Sequence, residues 1–183
     1  MTRLPNLINR DDIPAELIET YDRVASFRGG AVSGPYGILL HSPELAERAA
    51  ALGQFVRWNS ELTAAQRETA IITAARHWDA ELMWGGHVLL ARKAGVREEV
   101  IDIVGSKGNL QLLTDGEAAI ISYVRELLET NRVKETTFSS LHRLVGDAGI
   151  VDLTGLVGYY ATVGFTLNAF EVPPPHGVDP LPD

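Results

Sequence analysis

Apolar residues along the chain recur at intervals of three and four from the first stretch to the last. No run alternates apolar and polar positions over a strand's length, so the pattern predicts an all-α protein. Pro14 can open a first helix over Ala15 to Phe27, and Gly29, Gly30, Gly34 and Pro35 break it. Ser42 is placed to cap a helix that begins with Pro43 and Glu44, with Leu45, Ala49, Leu52 and Val56 as its buried side. Thr63 followed three residues on by Gln66 is a capping-box arrangement, and the helix it starts should end near His77 and Trp78. Asp79 can cap the next helix, which runs through His87 to Ala94 and stops at Gly95. So short a link predicts an antiparallel hairpin of these two helices.

A brief helix follows over Arg97 to Val104, then a turn over Gly105 to Asn109. Thr114 and Glu117 repeat the capping-box pattern ahead of the apolar series Ala118, Ile121, Val124, Leu127 and Leu128. Two more helices are expected, over Lys134 to Val145 and over Gly149 to Phe170. In the second, Gly155, Gly158, Ala161 and Gly164 would let another helix approach closely. VPPPHGVDPLPD cannot continue a helix and reads as an extended tail.

Inside this pattern two polar residues stand where apolar ones are expected. Glu68 shares its helical face with Ala64, Ile71, Ile72 and Ala75; His87 shares its own with Ala80, Met83, Trp84, Leu90, Ala91 and Ala94. A carboxylate and an imidazole each cost stability when buried alone, so the two on consecutive helices point to a shared pocket. Taken singly, His87 also fits a core histidine bonded to a backbone carbonyl, and Glu68 a partner for Arg67 or Arg76. His77 lies ten residues before His87, on a different face of any single helix, and no HExxH-type spacing occurs, so no metal site is expected. Glu81 is expected to face outward, and His142 and His176 read as surface residues.

Composition narrows the chemistry. The formal net charge of -8 with no Lys/Arg cluster argues against nucleic acid. With no cysteine, the chain cannot supply thiol redox chemistry, a disulfide or a thiolate metal site. The stretch from Gly149 to Phe170 is the most membrane-like, but Asp152, Asn168, its threonines and its glycines mark it as a buried or interfacial helix, so no membrane partner is expected. MTRLPNLINRDDIP lacks the apolar core of a signal peptide, which makes cytoplasmic the expected location.

The runs Arg67-Glu68-x-Ala70-Ile71 and Trp84-x-x-His87-x-x-x-Ala91-x-x-x-Gly95 resemble the carboxymuconolactone decarboxylase and alkylhydroperoxidase-like family. The likeness covers Gly34 to Val172, with weaker matches from Gly34-Pro35 to Ser42-Pro43 and from Tyr159 to Asn168. It implies a helical domain over 34–172 built around the central hairpin, with an N-terminal extension over 1–33 carrying one helix and a tail over 173–183. It also implies assembly into trimers or hexamers. The redox branch of that family carries a glutamate, eleven residues, a cysteine, two residues, a cysteine, three residues and a histidine. On this chain the glutamate falls on Glu68 and the histidine on His87, but the cysteine positions are Ala80 and Met83. Peroxide reduction by a dithiol is therefore excluded, and the acid-base half of the site is what remains.

The resemblance thus implies a cofactor-free lyase acting on a small carboxylated lactone or unsaturated acid, with His87 and Glu68 catalytic. Trp84, Met83, Ala80, His41 and Tyr159 are the expected pocket residues, with Tyr160 the alternative hydroxyl donor. Glu68 would orient the imidazole and raise its pKa, and imidazolium at His87 would be the proton donor. Two other readings stay open: a non-catalytic ligand-binding or scaffolding oligomer, and a different acid-base reaction in the same pocket, namely isomerisation, dehydration or lactone hydrolysis.

Overall fold

The computed structural model describes residues 2–175 and 177–182, and among them there is no strand. Eight helices follow in order: α1 (Ile18–Phe27), α2 (Tyr36–Leu39), α3 (Pro43–Gln54), α4 (Ala64–His77), α5 (Glu81–Lys93), α6 (Glu98–Gly105), α7 (Asp115–Thr130) and α8 (Glu135–Ala169). A five-residue π-helical segment, Phe55–Asn59, prolongs α3. Helix α4 is the axis of the molecule, packed against α5, α6, α7 and α8. Its residues from Glu68 to Arg76 are all buried. Around it lies the main apolar core, from Ile71, Ile72, Met83 and Val88 to Ile121, Leu153 and Leu156. A second cluster, including Val24, Tyr36, Leu40, Ala46 and Ala50, joins α1 to α2 and α3 and so runs across the 33/34 boundary.

Local chemistry sets the starts of α4 and α7. Thr63 and Gln66 form both halves of a capping box, as do Thr114 and Glu117. At the hairpin turn the cap differs from expectation. Ala80 takes the N-cap position of α5, while Asp79 adopts a left-handed φ of 49° and turns its carboxylate to Arg76. An ion pair to a buried guanidinium outweighs one N-cap bond to an exposed helix start. Ser42 likewise makes no side-chain cap bond, and Pro43 at the first helical position opens α3 without one.

The buried side of α3 also differs from expectation. Ala46, Ala49, Ala50 and Gly53 face inward, whereas Leu45 and Leu52 are 48% and 47% exposed. The helix carries two overlapping apolar stripes, and close packing on α1 and α8 selects the one with small side chains. Ala64, expected on the Glu68 stripe, is exposed at the first turn of α4.

The range Glu135–Ala169 contains a break at Gly146, where φ is 69° and ψ -175°, so the chain turns between two helical pieces there. By length and composition this range could cross a bilayer, with a mean hydropathy of 1.3 in its most apolar window, but 56% of that window is buried inside the fold. It serves as a core helix. Gly164 lies against Trp78, whereas a Cβ at Gly155 or Gly158 would meet nothing within 4 Å among the described residues. The tail folds back along α5, with Val178 and Asp179 lying over Gly85 and Asp179 paired to Arg92. His176 falls outside the described residues.

Gly53 gives a test of this packing, because a Cβ there would meet the Tyr159 hydroxyl at 2.4 Å and its ring at 2.7 Å. A glycine-to-alanine change inside a helix ordinarily gains about 0.5–1 kcal/mol. Overpacking a buried contact costs about 1–3 kcal/mol. Gly53→Ala should therefore lower the denaturation midpoint; a raised midpoint would show that Tyr159 can move aside freely.

Candidate active site

Residue Glu68 enters the site from the second turn of α4, whose phase is set by the capping box just before it. His87 enters from the middle of α5. The antiparallel hairpin brings them together, with His87 Nδ1 2.7 Å from Glu68 Oε2 and both side chains nearly buried, at 13% and 10% exposure. Of the alternative partners for Glu68, Arg67 donates to the Leu62 carbonyl, and Arg76 donates to the Gly105 carbonyl and to Asp79. With the Nδ1 hydrogen directed at the carboxylate, Nε2 of a neutral imidazole keeps its lone pair, and Nε2 has no hydrogen bond among the described residues. The ring of Tyr160 stands edge-to-face on the imidazole, with centroids 5.1 Å apart.

His87 opens onto a cavity of about 550 Å³. The α5 residues on its wall are Leu82, Met83, Gly86, His87 and Leu90; Tyr159, Tyr160, Val163 and Leu167 come from α8. Residues outside the hairpin close it: Asn6 and Ile8 before α1, Arg28 after it, Tyr36 of α2, Arg57 of the π-helical segment, and Val172 to Pro175. A second cavity of about 560 Å³, between α7 and the start of α8, is lined by Asp115, Ser122, Thr136, Thr137 and Ser140 among others, and shares no residue with the first. It has no buried acid-base pair. Among the described residues no three His, Asp or Glu side chains cluster as a metal site would require.

Of the expected pocket residues, Met83 and Tyr159 line the cavity and the other three do not. Ala80 is fully buried in the main core; it precedes the first turn of α5, so the seven-residue spacing to His87 does not put both on one face. Trp84, 2% exposed, lies on the core side of α5 against Gly105. His41 is exposed, with Nε2 2.8 Å from the Pro5 carbonyl. Tyr36 donates to the Ala49 carbonyl at 3.1 Å, so its oxygen, 2.7 Å from that of Tyr159, accepts the Tyr159 hydroxyl. Burial pushes the Tyr36 and Tyr160 hydroxyls well above the ordinary tyrosine value, which keeps both protonated.

The expected direction of the His87 shift is reversed. Burial is the largest influence and pushes the imidazole below its ordinary 6.5; the Glu68 hydrogen bond and charge oppose it, and the Arg57 and Arg28 charges add to the lowering. Neutral imidazole is therefore the resting form at neutral pH.

Arg28, Arg57 and Tyr36 are among the pocket residues that sequence reasoning passed over. Arg28 carries one signal: no acidic residue lies within four positions on either side, whereas Arg23 and Arg48 have Glu19 and Glu44 one helical turn away.

No family model matches the sequence, and no curated protein does. Solved structures do. One is a protein of unknown function from Agrobacterium tumefaciens, a candidate antioxidant-defence protein AhpD; identity is 20%, the TM-score 0.68, and the match covers 75% of this chain and 95% of that one. The chain has the alkylhydroperoxidase-like fold. The debrominase Bmp8, without ligand, matches at 12% identity and a TM-score of 0.72 over 95% of this chain and 93% of that one. Its cysteine-to-alanine variant in complex with 2,3,4-tribromopyrrole matches at 13% identity and 0.73, over 96% and 94%. The Bmp8 matches span nearly the whole of this chain.

The lowered His87 value fixes a sign for stability. Between the folded value and 6.5 the unfolded chain binds a proton that the folded chain refuses, so stability present above pH 6.5 is lost as pH falls through that window. Denaturant titrations from pH 7.5 down to 5 should show this slope in the wild type and less of it in His87→Gln. Equal slopes in both would remove His87 as its source.

Proposed function

We propose that this protein is a cofactor-free acid-base enzyme that decarboxylates a small carboxylated lactone or related unsaturated acid. The observation that carries the reading is the 2.7 Å Glu68–His87 pair at the wall of a largely apolar cavity of about 550 Å³. That volume suits a single small ring system. The debrominase of like fold, whose variant was captured with a tribromopyrrole, supports a small unsaturated ring as occupant.

The chemistry needs only proton management. As the carboxylate leaves as carbon dioxide, the electrons of the broken carbon–carbon bond pass into the lactone carbonyl as a dienolate. His87, charged by a solvent proton when the anionic substrate is bound, delivers that proton from Nε2 to carbon. Glu68 holds Nδ1–H and stabilises the transient imidazolium. The neutral resting imidazole favours one second reading: an isomerisation in which Nε2 takes a proton from one carbon and returns it to another. Turnover in deuterated water with gas detection separates them, since decarboxylation releases carbon dioxide and isomerisation does not.

His87→Gln should reduce turnover on the order of a hundred- to ten-thousand-fold, and Glu68→Gln less. Because the two act as one unit, the double variant should be scarcely worse than His87→Gln. Loss of stability with only a proportionate loss of activity in all three would favour a binding or scaffolding role instead.

We also propose that the chain assembles into trimers or hexamers through the outer face of α8, where Val151 is 69% and Phe165 58% exposed on either side of the open Gly155 and Gly158. Light scattering at micromolar concentration should give a multiple of three chains. A monomer of 19.9 kDa would overturn this.

A further inference from the structure

The pocket holds two guanidinium groups, those of Arg28 and Arg57. Arg28 rests with its Cζ 4.7 Å from the centroid of the Tyr36 ring, and its Nε and Nη1 are buried without any hydrogen-bond partner. Arg57 lies 4.8 Å from the centroid of the Trp58 ring. Neither has an ion pair among the described residues, although the chain carries 24 acidic residues against 16 basic ones. Elsewhere the fold pairs its arginines readily: Arg23, Arg92 and Arg97 each reach two carboxylates. Buried guanidinium donors left unmet are costly, and aromatic faces hold a cation in place without neutralising it.

We propose that Arg28 and Arg57 form an anion seat facing His87, one that selects a ligand with an apolar body and a negatively charged group. Both residues line the His87 cavity. The rest of that wall supplies what such a ligand requires: Leu82, Met83, Val163 and Leu167 for the body, with the arginines as its fixed positive charges. A planar guanidinium meets a carboxylate through two parallel N–H donors, which is why its rigid fork selects for orientation as well as charge.

The two arginines come from the end of α1 and from the π-helical segment after α3, so the seat assembles only when the N-terminal segments pack against the hairpin. This assigns a task to residues before Gly34: they complete the specificity side of the pocket. The seat also bears on the proton. Glu68 from α4 favours imidazolium at His87; Arg28 and Arg57 oppose it, and Tyr36 and Tyr160, kept protonated by burial at the same wall, add no charge. An anion that neutralises the arginines therefore favours proton uptake by His87, and binding itself readies the donor. This inference rests on the acid-base reading only for that last consequence; the seat is tested by binding alone.

The probes are benzoate and its neutral isostere benzamide, measured by calorimetry on the full chain at pH 7. Wild type should bind benzoate on the order of tenfold or more tighter than benzamide, as expected for a charge-assisted pair. Arg28→Met and Arg57→Met, which keep the aliphatic packing, should each remove most of that preference by weakening benzoate far more than benzamide. Arg28→Lys should restore part of it. His87 followed by NMR should titrate at higher pH with benzoate bound, and at higher pH without ligand in the doubly substituted protein. Equal affinity for the two probes in wild type, binding of neither at millimolar concentration, or a benzoate preference that survives both methionine substitutions would overturn the seat. If the preference behaves as stated but no carboxylated lactone is turned over, the enzyme reading fails and the seat stands.

Discussion

Helix α4 is buried from Glu68 to Arg76, nine consecutive residues, so it has no face to offer water. Every polar group on that stretch must find its partner within the protein or cost stability. Thr73 bonds back to the Thr69 carbonyl at 2.7 Å, Arg76 reaches across to the Gly105 carbonyl, and Glu68 meets His87. The last two contacts tie α4 to α6 and α5 at opposite ends. Sliding α5 by one turn would strand both the carboxylate and the imidazole, so the pair also sets the hairpin's register.

The fold leaves one ring nitrogen of the pair without a hydrogen bond among the described residues. Nδ1 is committed to Glu68, while Nε2 faces a cavity made mainly of side chains that cannot bond to it. The same apolar surroundings that suit a small ring withdraw water from the imidazole and push it toward the neutral form. Burial is the largest influence on the imidazole, and the Arg57 and Arg28 charges add to it against Glu68. Both guanidinium groups line the same cavity as His87.

The terminal segments finish the wall. Leu7 donates to the Gly37 carbonyl at 3.0 Å and Arg3 to that of Phe170, so the N-terminal strand of chain lies across α2 and the end of α8. Asn6 and Ile8 come to the pocket by this route, and Val172 to Pro175 approach from the other side. The alkylhydroperoxidase-like hairpin supplies the acid-base pair, and the segments around it supply the charge and much of the shape.

The sequence by itself determined the features that depend on near neighbours. Thr63 with Gln66 and Thr114 with Glu117 start helices because a cap bond spans three residues, and Gly95 ends one because its left-handed backbone suits glycine. The Glu68–His87 pair was legible too, since each breaks an apolar stripe and the short link leaves antiparallel packing as the outcome. Tertiary structure decided the rest. Two stripes on α3 satisfy the same periodicity, and only the closeness of α1 and Tyr159 selects the small one. His41, Ala80 and Trp84 lie near His87 in sequence or family pattern but turn away, because side-chain direction depends on the turn each occupies. The neutral state of His87, and the gathering of Arg28 and Arg57 beside it, arise from burial and from charges brought together across the chain, quantities that no local pattern contains.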